Sequence, residues 1–258
     1  VVREDCDAPS HPLSEGTIDD YLSQNGIPGV SGIDTRAVTR KLRSSGVMMG
    51  IITPDGSVSH AMEVLSNAPR YGEFDVVRDV STDEIYAWEG DAGEGSRAYR
   101  DLRSRALQGG MGRRVKSTLA EGDNREDRIK IVVNDYGVKL NILRSLRARG
   151  CEVVVVPDDA SAAEILSQKP HGVMLSPGPG DPELLDCSVE TAKGLIGKVP
   201  IMGICLGHQI IARSFGADTF KLHFGHRGGN QPVKDIESGR VYVTAQNHGY
   251  AVDPAGLP

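Results

Sequence analysis

Cysteine, aromatic residues and long apolar runs are all scarce in this sequence of 258 residues. The four cysteines, Cys6, Cys151, Cys187 and Cys205, show neither C-x-x-C pairing nor a disulfide-like spacing. That argues against a disulfide scaffold and for a reducing, cytoplasmic compartment. No apolar run approaches the ~20 residues of a membrane span, and the amino end carries no signal-peptide pattern, so no membrane partner is expected. Positive charge is the minority sign, with 29 Lys and Arg against 35 Asp and Glu and a net charge of -6. Such a surface repels a phosphate backbone and excludes a general nucleic-acid role. One dense basic cluster does occur: Arg97, Arg100, Arg103, Arg105, Arg113, Arg114 and Lys116. Only Tyr99 accompanies it, so it reads as a solvated linker or partner-facing segment rather than a stacking platform. There is no G-x-x-x-x-G-K-[ST] phosphate loop and no internal repeat. His223 and His226 resemble metal ligands only superficially, since no Cys or acid completes a set, and no metal is expected.

Against those absences, the second half carries a clear α/β pattern. Ile129–Val133 reads as a buried strand, Asn141–Arg149 as a helix stopped by Gly150, and Cys151–Val156 as a second strand. Ser161, with Glu164 three residues later, forms a capping-box signal for a short helix. Gly172–Leu175 reads as a third strand running into Ser176-Pro-Gly-Pro-Gly-Asp-Pro182, and a helix near Ser188–Ile196 leads to a fourth. Strands alternating with helices imply a parallel sheet covered on both faces, with ligands beyond the carboxyl ends of its strands. The first part reads as a separate, smaller α+β unit. It holds a helix over Thr35–Leu42 capped by Asp34, a strand-like Val47–Ile52, and a helix from Ser57 to Asn67. The expected division is 1–88, a linker over 89–127, and the α/β domain over 128–258.

The most informative segment is Pro200-Ile-Met-Gly-Ile-Cys205-Leu-Gly-His-Gln-Ile210. A lone cysteine is most often a buried core residue. Here it stands between two glycines where an apolar strand gives way to a helix, the layout of a nucleophile elbow with cysteine in place of serine. Gly203 and Gly207 permit a turn tight enough to expose the Cys205 side chain, and the helix dipole is expected to favour a thiolate. By the same logic Leu206 N–H is an oxyanion donor, because it directly follows the nucleophile.

The elbow, the Ser176–Pro182 loop and Gln246-Asn-His-Gly-Tyr250 together resemble class I, triad-type glutamine amidotransferases. Within that class, Phe224-Gly-His-Arg-Gly-Gly-Asn-Gln-Pro-Val-Lys-Asp235 and Thr244-Ala-Gln-Asn-His-Gly-Tyr-Ala-Val-Asp253 resemble the small, glutaminase subunit of carbamoyl phosphate synthetase. Gly32-Ile-Asp-Thr-Arg36 and Asn134-Asp-Tyr-Gly-Val-Lys-Leu-Asn-Ile-Leu-Arg144 fit the same subunit. The resemblance implies a flavodoxin-like, doubly wound glutaminase domain preceded by a partial smaller domain. It implies Cys205 as nucleophile, Gly178 and Leu206 N–H as the oxyanion hole, and a glutamine site of Gly178, Gly180, Leu206, Gln209, Asn247, Gly249 and Tyr250. It further implies a large-subunit partner that carries ATP and Mg and makes carbamoyl phosphate for pyrimidine and arginine synthesis, with no cofactor in this chain.

Two departures qualify the match. Pro177 occupies the position where this subunit usually has asparagine, and the proline version resembles the loop of the anthranilate synthase glutaminase. The family's triad ends in a His-x-Glu pair, yet none of the seven histidines here is followed two residues later by an acid. The chain is therefore expected to be truncated at both ends. A non-catalytic or regulatory homologue with an incomplete triad, or the glutaminase of another synthase, stays open at this point. His208, three residues beyond Cys205, is expected to point away from the sulfur, and His248 is expected to play a structural rather than a basic role.

Overall fold

Four short apolar strands form the centre of the larger unit: β2 (Lys130–Asn134), β3 (Glu152–Val156), β4 (Gly172–Leu175) and β5 (Ile201–Gly203). β-branched residues dominate β2 and β3, and the apolar run continues through β4, as expected of strands buried on both faces. All four pair in parallel in the order β3-β2-β4-β5, with Val133 opposite Val155 on one side and Met174 on the other. A two-residue strand, β1 (Tyr86–Ala87), adds antiparallel to the outer edge of β3. The computed structural model describes residues 1–12, 14–53, 56–89 and 128–257. The basic cluster between Arg97 and Lys116 and most of the expected linker lie outside them.

The order of the parallel strands reverses direction at β2 and β4, the flavodoxin-like winding anticipated from the sequence. The helices that connect these strands lie on opposite faces. Helix α4 (Leu140–Arg147) covers one face, where Leu143 packs wholly buried with Val133, Val153, Val155 and Met174. The other face receives α5 (Ala162–Ser167), α6 (Asp186–Leu195) and α7 (Leu206–Ser214). Their Ile165, Val189, Leu195, Leu206 and Ile210 pack with Val132, Val154, Val156, Val173 and Leu175. The capping box on α5 is present in full: the Ser161 hydroxyl accepts from Glu164 N–H while the Glu164 carboxylate accepts from Ser161 N–H. On α4, Leu146 packs against the same cluster as Leu143, whereas Leu140 at the start of the helix is exposed.

The chain forms two compact units, Val1–Glu73 with Leu222–Gly249, and Phe74–Lys221 with Tyr250–Pro258. Residues 74–88, expected to belong with the first part, thus join the sheet unit, for reasons visible in their bonding. Val77 is 1% exposed in its core, Thr82 N–H donates to Asp135 Oδ2 at 3.1 Å, and β1 extends the sheet. The other unit contains α1 (Ile18–Gln24), α2 (Thr35–Ser45) and α3 (Val58–Asn67). Asp34 caps α2 as expected, its Oδ1 accepting from Ala37 N–H at 2.9 Å. Val47–Ile52, expected as a strand, is irregular. Val47 N–H reaches His223 O at 3.1 Å, but no ladder forms there among the described residues, and Met48, Met49, Ile51 and Ile52 stay exposed.

The β content of the smaller unit comes instead from residues 222–249 of a long hairpin, β6 (Asp218–Lys234) and β7 (Val241–Asp253). The glycines at 225, 228 and 229 lie within β6. Gly225 adopts φ +75° and passes so close to β7 that a Cβ would sit 2.5 Å from His248 O. There the glycine serves strand contact, not looseness.

Candidate active site

The reversal point of a doubly wound sheet leaves a crevice beyond the strand ends. Here three chain segments converge on it. After β2, Asp135 folds the backbone sharply: its Oδ1 accepts from Gly137 N–H at 2.9 Å and Val138 N–H at 2.7 Å. After β4 comes the Ser176–Pro182 loop, and after β5 the turn into α7. These contacts were not anticipated, although an Asp-x-Gly following a strand is itself a turn signal.

Cys205 occupies the turn into α7 with φ 52° and ψ −108°. Positive φ is strained for a residue with a side chain, by about 1–3 kcal/mol. Lys169 is the other non-glycine described in that region. The turn persists because its neighbours leave no alternative. Ile204 N–H donates to Leu175 O at 3.1 Å, and Gly207 N–H to Ser176 O at 3.1 Å. A Cβ on Gly203 would meet the Gly207 backbone, and one on Gly207 would meet the Leu175 carbonyl. Both glycines of the motif are therefore demanded by space, as a nucleophile elbow requires. Burial pushes the Cys205 thiol above its ordinary range, and the Leu206 N–H pulls it back only in part. Desolvation thus works against the thiolate that the helix dipole was expected to favour.

The loop after β4 abuts this elbow. A Cβ on Gly178 would run into the Tyr136 carbonyl and lie 2.9 Å from Leu206 Cδ2. Gly180 has φ +92° and packs against Val76. Arg213, at the far end of α7, donates to Pro182 O at 2.6 Å and pairs with Asp186 at 2.9 Å. Gly178, Gly180, Cys205 and Leu206 are accordingly held in one place within the sheet unit.

Gln209 and Tyr250 join the same unit. Gln209 is 6% exposed and its Nε2 donates to Tyr250 O at 2.8 Å, which ties the chain after β7's midpoint to the elbow helix. His208 is exposed on that helix while Leu206, Gly207, Gln209 and Ile210 are buried, consistent with the outward direction expected for it. The other two residues assigned by resemblance, Asn247 and Gly249, belong to the smaller unit. There Asn247 Oδ1 accepts from Arg227 Nη1 at 2.5 Å. His248 Nε2 lies 3.2 Å from His226 Nδ1 and 3.1 Å from Gln246 Oε1, a side-chain network within the hairpin. His223 does not join it, packing instead near Gly46 and edge-on to Phe224.

Comparison with known proteins converges with this geometry. Residues 132–258 match the family described as glutamine amidotransferase class-I, and residues 1–52 match the CPSase domain of the carbamoyl-phosphate synthase small chain. The carbamoyl phosphate synthase small chain of Methanopyrus kandleri is 43% identical, covering 100% of this chain and 63% of its own length. That of Fusobacterium nucleatum is 45% identical over 98% of this chain and 60% of its own. The chain therefore spans less than two thirds of the relatives it matches. A solved glutamine amidotransferase from Thermotoga maritima is 18% identical over 51% of this chain and 64% of its own, at a TM-score of 0.37. With an amidotransferase region ending the sequence and a small-chain region beginning it, the chain belongs to the carbamoyl phosphate synthase small-chain family.

Proposed function

We propose that this protein is the glutaminase component of a glutamine-hydrolysing carbamoyl phosphate synthetase. Cys205 Sγ, as thiolate, attacks the side-chain amide carbon of glutamine. The carbonyl oxygen gains the negative charge of a tetrahedral intermediate, which Gly178 N–H and Leu206 N–H receive. The C–N bond then breaks, nitrogen leaves as ammonia on taking a proton, and a γ-glutamyl thioester remains. Water adds to the thioester, releasing glutamate and restoring the thiol. Splitting amide hydrolysis this way lets a strong nucleophile replace water in the difficult step.

The observation that carries the reading is Cys205 held at φ 52° on a glycine-flanked elbow, with the Gly178 loop seated against Leu206. A donor aimed at such an oxyanion is worth roughly 3–4 kcal/mol. Gln209 already donates its Nε2 to Tyr250, which leaves its Oε1 to accept from the substrate's α-ammonium group. Asn247, Gly249 and Tyr250 carry over as glutamine-binding residues by family position. The proton for departing ammonia is assigned to the His-x-Glu pair of the family, a pattern this sequence does not contain. Ammonia would pass to a large subunit, where ATP and bicarbonate complete carbamoyl phosphate.

Cys205→Ser in the full-length protein, assembled with its large partner, tests the proposal. Glutamine-dependent carbamoyl phosphate formation should vanish while synthesis from added ammonia persists. Retained glutamine-dependent synthesis would remove Cys205 as nucleophile, and with it the reading.

A further inference from the structure

Ser176 was read from sequence only as the first residue of a glycine-rich loop, yet it bonds to every segment that meets at the site. It is 0% exposed. Its N–H donates to Asn134 O at 3.1 Å, which continues the sheet by one residue. Its carbonyl accepts from Gly207 N–H at 3.1 Å, which seats the first turn of α7. Its hydroxyl accepts from Tyr136 N–H at 2.8 Å and donates to Pro177 O at 2.8 Å. These hydroxyl roles are unambiguous, because a backbone N–H can only donate and a carbonyl can only accept.

The last of these bonds has a chemical consequence. Pro177 C=O and Gly178 N–H belong to the same peptide unit. A trans peptide is planar, with its C=O and N–H pointing in opposite directions. Anchoring the Pro177 oxygen on the Ser176 hydroxyl therefore also sets the direction of the Gly178 N–H. Proline cannot offer an N–H of its own, and its fixed φ removes one torsion through which the loop might adjust. The hydroxyl itself cannot wander, since Tyr136 N–H holds its lone pair from the opposite loop.

We infer that Ser176 is a positioning residue for catalysis: its buried hydroxyl holds the 177–178 peptide in the orientation that presents Gly178 N–H to the oxyanion. This rests on the glutaminase reading above. Ser176 touches no reacting atom; it acts through the peptide it holds. Without the hydroxyl, Tyr136 N–H and Pro177 O both lose a buried partner, and rotation of that peptide becomes the route by which each can find another.

The test is Ser176→Ala in the full-length protein with its large partner, with Cys205→Ser run in parallel. Removing an oxyanion donor outright costs about 100–1,000-fold in kcat, so releasing one from its anchor is expected to cost about 10–100-fold. KM for glutamine should stay within about threefold, because the effect lies on the transition state and not on substrate binding. Alkylation of Cys205 by iodoacetamide should keep its rate, and ammonia-dependent synthesis should be intact, showing that elbow and assembly survive. If the alanine protein does not assemble, Ser176→Cys, with similar volume and a weaker donor, is read by the same criteria. A kcat within about threefold of the parent would overturn the inference. So would a kcat loss accompanied by slowed Cys205 alkylation, since Ser176 would then merely support the elbow. If instead Cys205→Ser still hydrolyses glutamine, it is the glutaminase reading that fails, whatever Ser176→Ala does.

Discussion

Adding a single methyl group at Gly178 should separate binding from catalysis. The torsions at this residue do not demand glycine; its surroundings do. An alanine Cβ would run into the Tyr136 carbonyl, and would lie 2.8 Å from Tyr136 Cβ and 2.9 Å from Leu206 Cδ2. Tyr136 is fully buried and its N–H is bonded to Ser176, so it has little freedom to retreat. The loop must therefore move, by about 1 Å to reach ordinary contact. An oxyanion donor works at about 2.7–3.1 Å, so a displacement of that size takes Gly178 N–H out of useful range. The expected loss is about 100–1,000-fold in kcat for glutamine hydrolysis, or ~3–4 kcal/mol. Overpacking should also lower stability by about 1–3 kcal/mol. Glutamate release by the full-length Gly178→Ala protein with its partner measures the first effect, and urea unfolding the second. Ammonia-dependent synthesis serves as the internal control. A variant that is destabilised but hydrolyses glutamine within about tenfold of the parent would refute the donor assignment.

Two further outcomes follow from packing and titration. Leu143 is fully buried on the sheet face opposite α7, so Leu143→Ala should lower unfolding free energy by about 2–5 kcal/mol while leaving kcat near the parent value; a urea midpoint unchanged at equal slope would contradict the core assignment. Burial disfavours the Cys205 thiolate, so in this chain the alkylation rate at Cys205 should rise about tenfold per pH unit and keep rising beyond the ordinary thiol range of about 8.5. A plateau below about pH 8 would show that the sulfur is activated by something other than the Leu206 N–H.

Much of the sheet unit was legible because its signals are local. The β-branched runs and the Ser161 capping box each depend on neighbours a few residues away, and both appear where expected. Val47–Ile52 shows the limit of that reasoning. Its side chains suit a strand, but a strand exists only when a second one pairs with it, and pairing is decided at long range. The hairpin reverses the lesson: Gly225, Gly228 and Gly229 suggest looseness locally, whereas the approach of β7 requires a residue without a side chain at Gly225.

At the site the same division holds. Sequence alone determined that Cys205 stands on an elbow, because two glycines around it between strand and helix constrain the backbone over only five residues. It also named Gly178 and Leu206 as the expected donors, Leu206 from its place after the cysteine and Gly178 from family position. What the tertiary structure decided is how these parts are held and charged. Burial, a property of the whole fold, raises the Cys205 thiol where the local helix dipole alone suggested a thiolate. Ser176 acquires its place because β2 and β4 end side by side, so its hydroxyl meets Tyr136 N–H from the loop after β2 while holding Pro177 O in its own loop. No local pattern encodes that meeting; it exists only once β2 and β4 lie adjacent in the sheet.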